Sequence, residues 1–372
     1  MKVRGAVLRE MGLPAPFASS RPLSIEDLDL TAPGPGELLV KVRAAGLCHS
    51  DLSVIDGSRP RVMPMVLGHE AAGEVIETGP ETPGFAPGDR VVFSFVPVCG
   101  ACAPCASGRS ALCEPGAVAN TAGTLLAGER RWQGGLNHHL GVSGFADHIV
   151  VSARSAVKVP AELPSEIAAL FGCAVMTGVG AVVNTARVAA GESVAVFGLG
   201  GVGLAALLGA VASGANPIVA VDVLPHKLEL ARDLGATHTV LATEPTAVDE
   251  VREATQGGAA FAFETVGNEK VLAQAYAATR RGGTTVTAGL PHPDRMFSIP
   301  AVSLVAEERT VKGSYMGSAV PARDIPRFIA LYNAGRLPVN RLLTHTLRLE
   351  EINEAFDRLA RGEAVRQVVL FD

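Results

Sequence analysis

Ser193-Val-Ala-Val-Phe197-Gly198-Leu-Gly200-Gly201-Val-Gly203 is the stretch that decides the architecture of the second half of this chain. Residues 193–197 are a short apolar run that reads as a buried strand, and residues 202–213 read as a helix. Glycines spaced G-x-G-x-x-G between a strand and a helix carry a specific mechanism. Gly198 permits the tight turn, Gly200 lets backbone approach a pyrophosphate, and Gly203 lets helix and strand pack closely. Gly201 and Val202 complete the turn, so that the positive helix N-terminus faces the phosphates. Asp222 ends the next strand, 19 residues after Gly203. A carboxylate there accepts hydrogen bonds from two ribose hydroxyls and repels a 2′-phosphate. Val223 and Leu224 offer no cation in compensation, so NAD is expected over NADP.

The same rhythm continues outward. Strands at 217–222, 238–241, 260–264 and 284–288 alternate with helical segments such as 225–234, which implies a doubly wound parallel sheet. Before about residue 155 the pattern is different. Short β-rich runs at 37–45, 72–77, 90–95 and 147–151 are separated by Gly, Pro and Asp, as in a compact β-barrel-like domain. The tail reads as helices at 325–333 and 350–360 and a strand at 367–371.

Composition narrows the function. The 372 residues carry a formal charge of −5, with 48% hydrophobic and 19% charged residues. A nucleic-acid binder would show a basic surplus, so small-molecule chemistry is the better expectation. No 18 apolar residues run uninterrupted, and the first ten residues read as an edge strand rather than a signal peptide. A cytoplasmic enzyme with no membrane and no nucleic-acid partner is expected.

Six cysteines remain to be explained. Cys99, Cys102, Cys105 and Cys113 lie within fifteen residues, in a loop rich in Gly, Pro and Ala. Four thiolates close a tetrahedral shell around zinc and leave no position for substrate, which marks a structural site. An iron–sulfur cluster fits less well, because of the seven-residue gap and the lack of a proline after the fourth cysteine. Cys48 and Cys173 are far apart, with Gly68-His69-Glu70 between them. Two thiolates and one imidazole would leave one zinc position open for chemistry. Spacing alone leaves open whether they meet; a buried thiol and a histidine bonded to backbone are the alternatives.

Together, GLCHSD, GHEAAGEV, GDRVV, the four-cysteine loop, CAVMTGVGAVVNTARV, VFGLGGVG, AVDVLPHKLELARDLGAT and the closing LTHTLRLEEINEAFDRLARGEAVRQVV resemble the zinc-containing alcohol dehydrogenases of the medium-chain dehydrogenase/reductase family. The resemblance spans almost the whole chain. It implies an α/β protein with a GroES-like catalytic domain, residues 1–174 and 317–372, and an inserted Rossmann coenzyme domain, residues 175–316. The active site would lie in the cleft between them. It also implies two zinc ions per chain, one catalytic on Cys48, His69 and Cys173 and one structural on the four-cysteine loop. Asp51 and Glu70 would support the catalytic ligands; Asp51 would accept from the His69 imidazole, and Glu70 would approach the metal during ligand exchange.

The resemblance assigns His49 and Arg366 to the NAD pyrophosphate and Lys227 to a ribose. Thr177 and Val202 flank the nicotinamide in this reading, and Leu52, Phe95 and Leu290 line a mainly apolar substrate pocket. The implied chemistry is metal-assisted activation of the alcohol oxygen with hydride transfer to NAD. Ser50 takes the proton onward, and Ser53 stands where several animal members end the relay with histidine. The expected substrate is a medium-length or aromatic primary alcohol, giving the aldehyde or ketone. Alternatives are a formaldehyde dehydrogenase acting on a thiol adduct, a nicotinoprotein that keeps NAD bound, and a non-catalytic NAD-binding relative. Residues 117–140, with Trp132, His138 and His139, resemble the long loop of larger members. The histidine pair reads as part of a solvated loop, and the loop favours a homodimer over a tetramer.

Overall fold

The computed structural model describes residues 1–243 and 246–372. The chain divides into two units: Met1–Cys173 with Val320–Pro326 and Leu343–Asp372, and Ala174–Ala319 with Arg327–Leu342.

In the first unit a seven-stranded sheet is organised on Glu37–Leu47. That strand pairs antiparallel with Glu70–Thr78, with Arg366–Leu370 and with His148–Ser152. Alternating apolar residues such as Leu38, Val40 and Val42 are fully buried, so a one-residue slip would expose the face that carries the core. Register therefore places Gly46 opposite Glu70 and Leu47 opposite Gln367. One end of three neighbouring strands thus gathers Cys48, His69, Glu70 and Arg366.

The tail is tied to the front of the chain by buried polar contacts as well as by the core. Asp357 accepts the Phe17 and Ala18 N–H groups at 2.7 and 2.8 Å, and Asn353 exchanges bonds with the Leu23 backbone. Phe145 and Phe356 meet edge to face, 6.1 Å apart.

The second unit holds a six-stranded parallel sheet. Its order is His238–Leu241, Ile218–Asp222, Val194–Phe197, Ala259–Glu264, Thr279–Thr287 and Thr310–Gly313. The glycine turn behaves as its spacing predicts. Gly198 has φ +90°, and a Cβ at Gly203 would run into the Gly198 carbonyl oxygen. A Cβ at Gly200 would meet no protein atom within 4 Å, so this glycine keeps open a space that protein packing does not fill. Thr265 donates its hydroxyl to the Gly198 carbonyl at 2.9 Å and holds the turn from the neighbouring strand.

Residues 327–342 belong to this second unit, whereas the sequence reading groups them with the first. The reason is apolar: Phe328, Ile329, Leu337, Val339 and Leu342 are buried, and the turn Val339–Leu342 packs on the helix Gly201–Ala212. The helical run Ser165–Ala186 is long and apolar enough to cross a membrane, but 89% of its most apolar window is buried, as in a core helix.

Candidate active site and metal centres

Cys48 ends the central strand region and caps the helix His49–Ile55. Asp51, in the first turn, folds back, and its Oδ2 accepts the Cys48 N–H at 3.1 Å. Its Oδ1 lies 2.8 Å from His69 Nδ1. An ionised carboxylate only accepts, so Nδ1 carries a proton, and Nε2 on the other side is the ring atom that a neutral imidazole would offer to a metal. That Nε2 is buried and has no hydrogen-bond partner. Cys173 arrives from a π-helical turn, Phe171–Val175, inserted in an otherwise α-helical run. Ligand atoms of Cys48, His69, Glu70 and Cys173 all lie within 4.8 Å of one another, and all four residues are buried.

Two sulfurs and one tautomer-fixed imidazole nitrogen around an orphaned lone pair are a donor set suited to zinc. The charges agree. Glu70 pairs with the buried Arg366 guanidinium, and Gly46 leaves room for that pair, since a Cβ there would meet Glu70 Oε2 at 2.6 Å. Burial pushes the Glu70 carboxyl up to about 7, against the pull of Arg366. The Cys173 thiol holds Cys48 well below the usual thiol range, overcoming burial, while Cys173 itself is pushed up by Cys48 and by burial. A divalent cation would hold both sulfurs as thiolates and cancel their charge.

The second cluster is local. Cys99, Cys102, Cys105 and Cys113 place their sulfurs within 4.8 Å of one another, with Cys99 and Cys105 Sγ 3.9 Å apart. Backbone N–H groups of Ala101 and Cys102 point at Cys99 Sγ at 3.4 and 3.3 Å, and that of Cys99 points at Cys113 Sγ at 3.2 Å. The Ala101 and Cys102 donors draw the Cys99 thiol down to about 6, whereas burial pushes Cys105 up to about 12. Four sulfurs and backbone donors to them fit a closed structural zinc.

Other expected site residues divide between the units. His49, Ser50, Leu52, Phe95 and Arg366 are in the first, and the Phe95 ring stands edge-on to His69 at 5.5 Å. Arg366, which the resemblance assigns to a pyrophosphate, has its guanidinium on Glu70. Thr177, Gly198, Gly200, Gly201, Val202, Gly203, Asp222, Lys227 and Leu290 are in the second. Asp222 accepts the Leu199 and Leu224 N–H groups at 2.6 and 3.0 Å, one on each oxygen. Each oxygen keeps a further acceptor position for a ribose hydroxyl.

The long loop corrects one expectation. Trp132, His138 and His139 are buried, so the histidine pair is not part of a solvated loop. Arg131 draws the segment inward through the buried Glu37 carboxylate, at 2.7 Å from Nε. His138 Nε2 accepts the Arg131 N–H at 3.1 Å, and burial beside Arg130 and Arg131 brings its pKa down to about 3. Nothing in the local sequence marks this, because Glu37 lies 94 residues from Arg131.

Comparison with known proteins agrees with the geometry. A family model described as "Alcohol dehydrogenase GroES-like domain" matches residues 34–161, and one described as "Zinc-binding dehydrogenase" matches residues 201–334. The NDMA-dependent alcohol dehydrogenase of Amycolatopsis methanolica is 39% identical over 100% of this chain and 99% of its own length. The S-(hydroxymethyl)glutathione dehydrogenase of Paracoccus denitrificans is 34% identical over 100% of both chains. The crystal structure of benzyl alcohol dehydrogenase from Acinetobacter calcoaceticus superposes with a TM-score of 0.93 at 32% identity, over 100% of both chains. A dinucleotide-type glycine turn, two zinc-type donor sets and full-length likeness to alcohol dehydrogenases lead to one conclusion: the chain belongs to the zinc-binding alcohol dehydrogenases of the medium-chain dehydrogenase/reductase family.

Proposed function

We propose that this protein is a zinc-dependent, NAD-linked dehydrogenase that interconverts a primary alcohol, medium-length or aromatic, and its aldehyde. The observation that carries the reading is the buried set Cys48, His69 and Cys173, with His69 Nδ1 on Asp51 and Nε2 without a hydrogen-bond partner. A zinc held there supplies Lewis-acid polarisation of the alcohol oxygen. Asp51 keeps the His69 ring in register, and Arg366 balances the Glu70 charge beside it. Phe95 presents an apolar edge at the site, which suits a hydrocarbon or benzylic group. Asp222 supports NAD over NADP, because a 2′-phosphate would face a carboxylate. Likeness to a benzyl alcohol dehydrogenase supports the aromatic substrate.

Reduction of NAD and of NADP by the zinc-loaded protein with aliphatic, benzylic and secondary alcohols tests this. Turnover of benzylic or medium-length primary alcohols with NAD is expected. No nicotinamide reduction with any alcohol, or a preference for NADP, would overturn the reading. Two relatives supply further arms for the same assay: formaldehyde with and without glutathione or mycothiol, and NDMA as electron acceptor.

Ser50 lies in the first turn of the helix capped by Cys48, and a serine hydroxyl can both accept and donate. It takes the alcohol proton in this proposal. Ser50→Ala is expected to cut turnover by about 10²-fold or more, as for a lost proton-transfer step. An unchanged rate at neutral pH would remove Ser50 from the pathway.

The reading extends to a cytoplasmic homodimer. All six cysteines are free of disulfides, as suits a reducing compartment. Thr310–Gly313 is an edge strand, and Met296, Val302 and Val305 next to it in sequence are 83%, 73% and 82% exposed. An open strand edge beside apolar residues is a surface on which a second copy can pair.

A further inference from the structure

Asp51 is fully buried, and its charge is not cancelled by Arg366, which is engaged by Glu70. Two donors to it are already described: the Cys48 N–H on Oδ2 and His69 Nδ1 on Oδ1. A third group approaches from the long loop. His139 Nδ1 lies 3.3 Å from the same Oδ1 that bonds His69. The His139 and His69 rings stand at right angles, 89° apart with centroids at 5.6 Å.

The backbone holds His139 in this place. Its N–H donates to Ser143 Oγ at 3.0 Å, and its carbonyl accepts the Val142 and Ser143 N–H groups at 3.0 and 3.2 Å. The side chain is 1% exposed, and neither ring nitrogen makes an aligned hydrogen bond. Burying such a nitrogen without a partner is costly, so packing alone would be served as well by an apolar ring. The chemistry within reach is the Asp51 carboxylate.

We propose that His139 is a positioning residue of the catalytic metal site, acting as the second imidazole donor to Asp51. It steadies the carboxylate that orients His69 and, through the Cys48 backbone, the first thiolate. Asp51, His69 and His139 could be taken for a separate metal cluster, since their ligand atoms also lie within 4.8 Å. His69 argues against that: its Nδ1 is engaged by Asp51 and its Nε2 belongs with Cys48 and Cys173. The trio places two imidazoles against one carboxylate oxygen behind one metal site.

This inference rests on Cys48, His69 and Cys173 being metal donors, and the test separates the two. Zinc per chain and zinc affinity, by chelator competition, are measured on the holoenzyme and on His139→Phe, His139→Asn and His139→Gln. Asn places an amide N–H near the position of Nδ1, whereas Gln reaches towards that of Nε2. His139→Phe is expected to weaken the less tightly held zinc about 10–100-fold, the range for lost partners of metal ligands. The other zinc and the thermal midpoint of the metal-stripped protein should hold, and Asn should restore affinity to within a few-fold of the parent. A purely structural histidine would instead lower the midpoint and leave the affinity of any retained zinc unchanged. His139→Phe with parental affinity, or rescue by Gln and not by Asn, would overturn the inference. A parent holding only one zinc would overturn the metal-site reading itself.

Discussion

Cys173→Ala is expected to lower alcohol turnover by about 10³–10⁴-fold. Lewis-acid assistance by a metal is worth several kcal/mol, and each 1.36 kcal/mol is a factor of ten. Cys173 is the donor whose removal disturbs least else. Cys48 also caps a helix, and His69 is bonded to Asp51, whereas Cys173 sits in a π-helical turn and supplies the site with little more than its sulfur. Glu70 is near enough to offer an oxygen, but that oxygen would be drawn from a carboxylate paired with Arg366. It should therefore compensate poorly. The checks are steady-state kinetics and zinc analysis, with zinc expected to fall from two ions per chain to one. Activity within tenfold of the parent, with both ions retained, would place the chemistry elsewhere.

Cys113→Ala acts on stability. Between Cys99 and Cys113 the buried residues are Ser110, Ala111 and Cys113 itself, too little apolar surface to hold fifteen residues in one conformation. A zinc on the four sulfurs would supply most of the order. Structural zinc binding is worth about 10–16 kcal/mol in small zinc domains, against a net stability of about 5–15 kcal/mol for a folded protein. Three remaining thiolates keep part of this. A loss of several kcal/mol is expected, lowering the apparent thermal midpoint by about 10 °C or more. Limited proteolysis should cut first inside residues 99–113, and zinc analysis should show loss of one ion with the catalytic one initially kept. A parental midpoint and an unchanged cleavage pattern would show that the loop does not depend on metal.

These two variants also show what kind of information each site needed. The structural cluster was readable because its four donors lie within fifteen residues, so chain connectivity alone brings them close. The glycine turn was readable for the same reason: strand, turn and helix follow one another, and Gly198 and Gly203 answer contacts within that unit or its neighbour strand. The catalytic set was different. From His69 to Cys173 the chain runs 104 residues (173 minus 69), and no spacing rule spans that distance. Resemblance to a family named those residues; their own neighbourhoods did not.

His139 marks the sharpest divide. Its local sequence, two histidines in a polar loop, reads as solvated, and the opposite is true because Glu37 and Arg131 draw the loop in. Arg366 makes the same point from the other end of the chain, meeting Glu70 across 296 residues. Periodicity, turn chemistry and close donor spacing follow from short-range sterics and connectivity, so residues 193–203 and 99–113 carried their meaning in their own order. The meeting of Cys48, His69, Cys173 and Arg366 depended on sheet register and on a π-helical turn, and both are set by how distant apolar faces bury one another. Zinc and a dinucleotide were therefore legible at the outset, while the approach of His139 to the Asp51–His69 pair arose only when the chain folded.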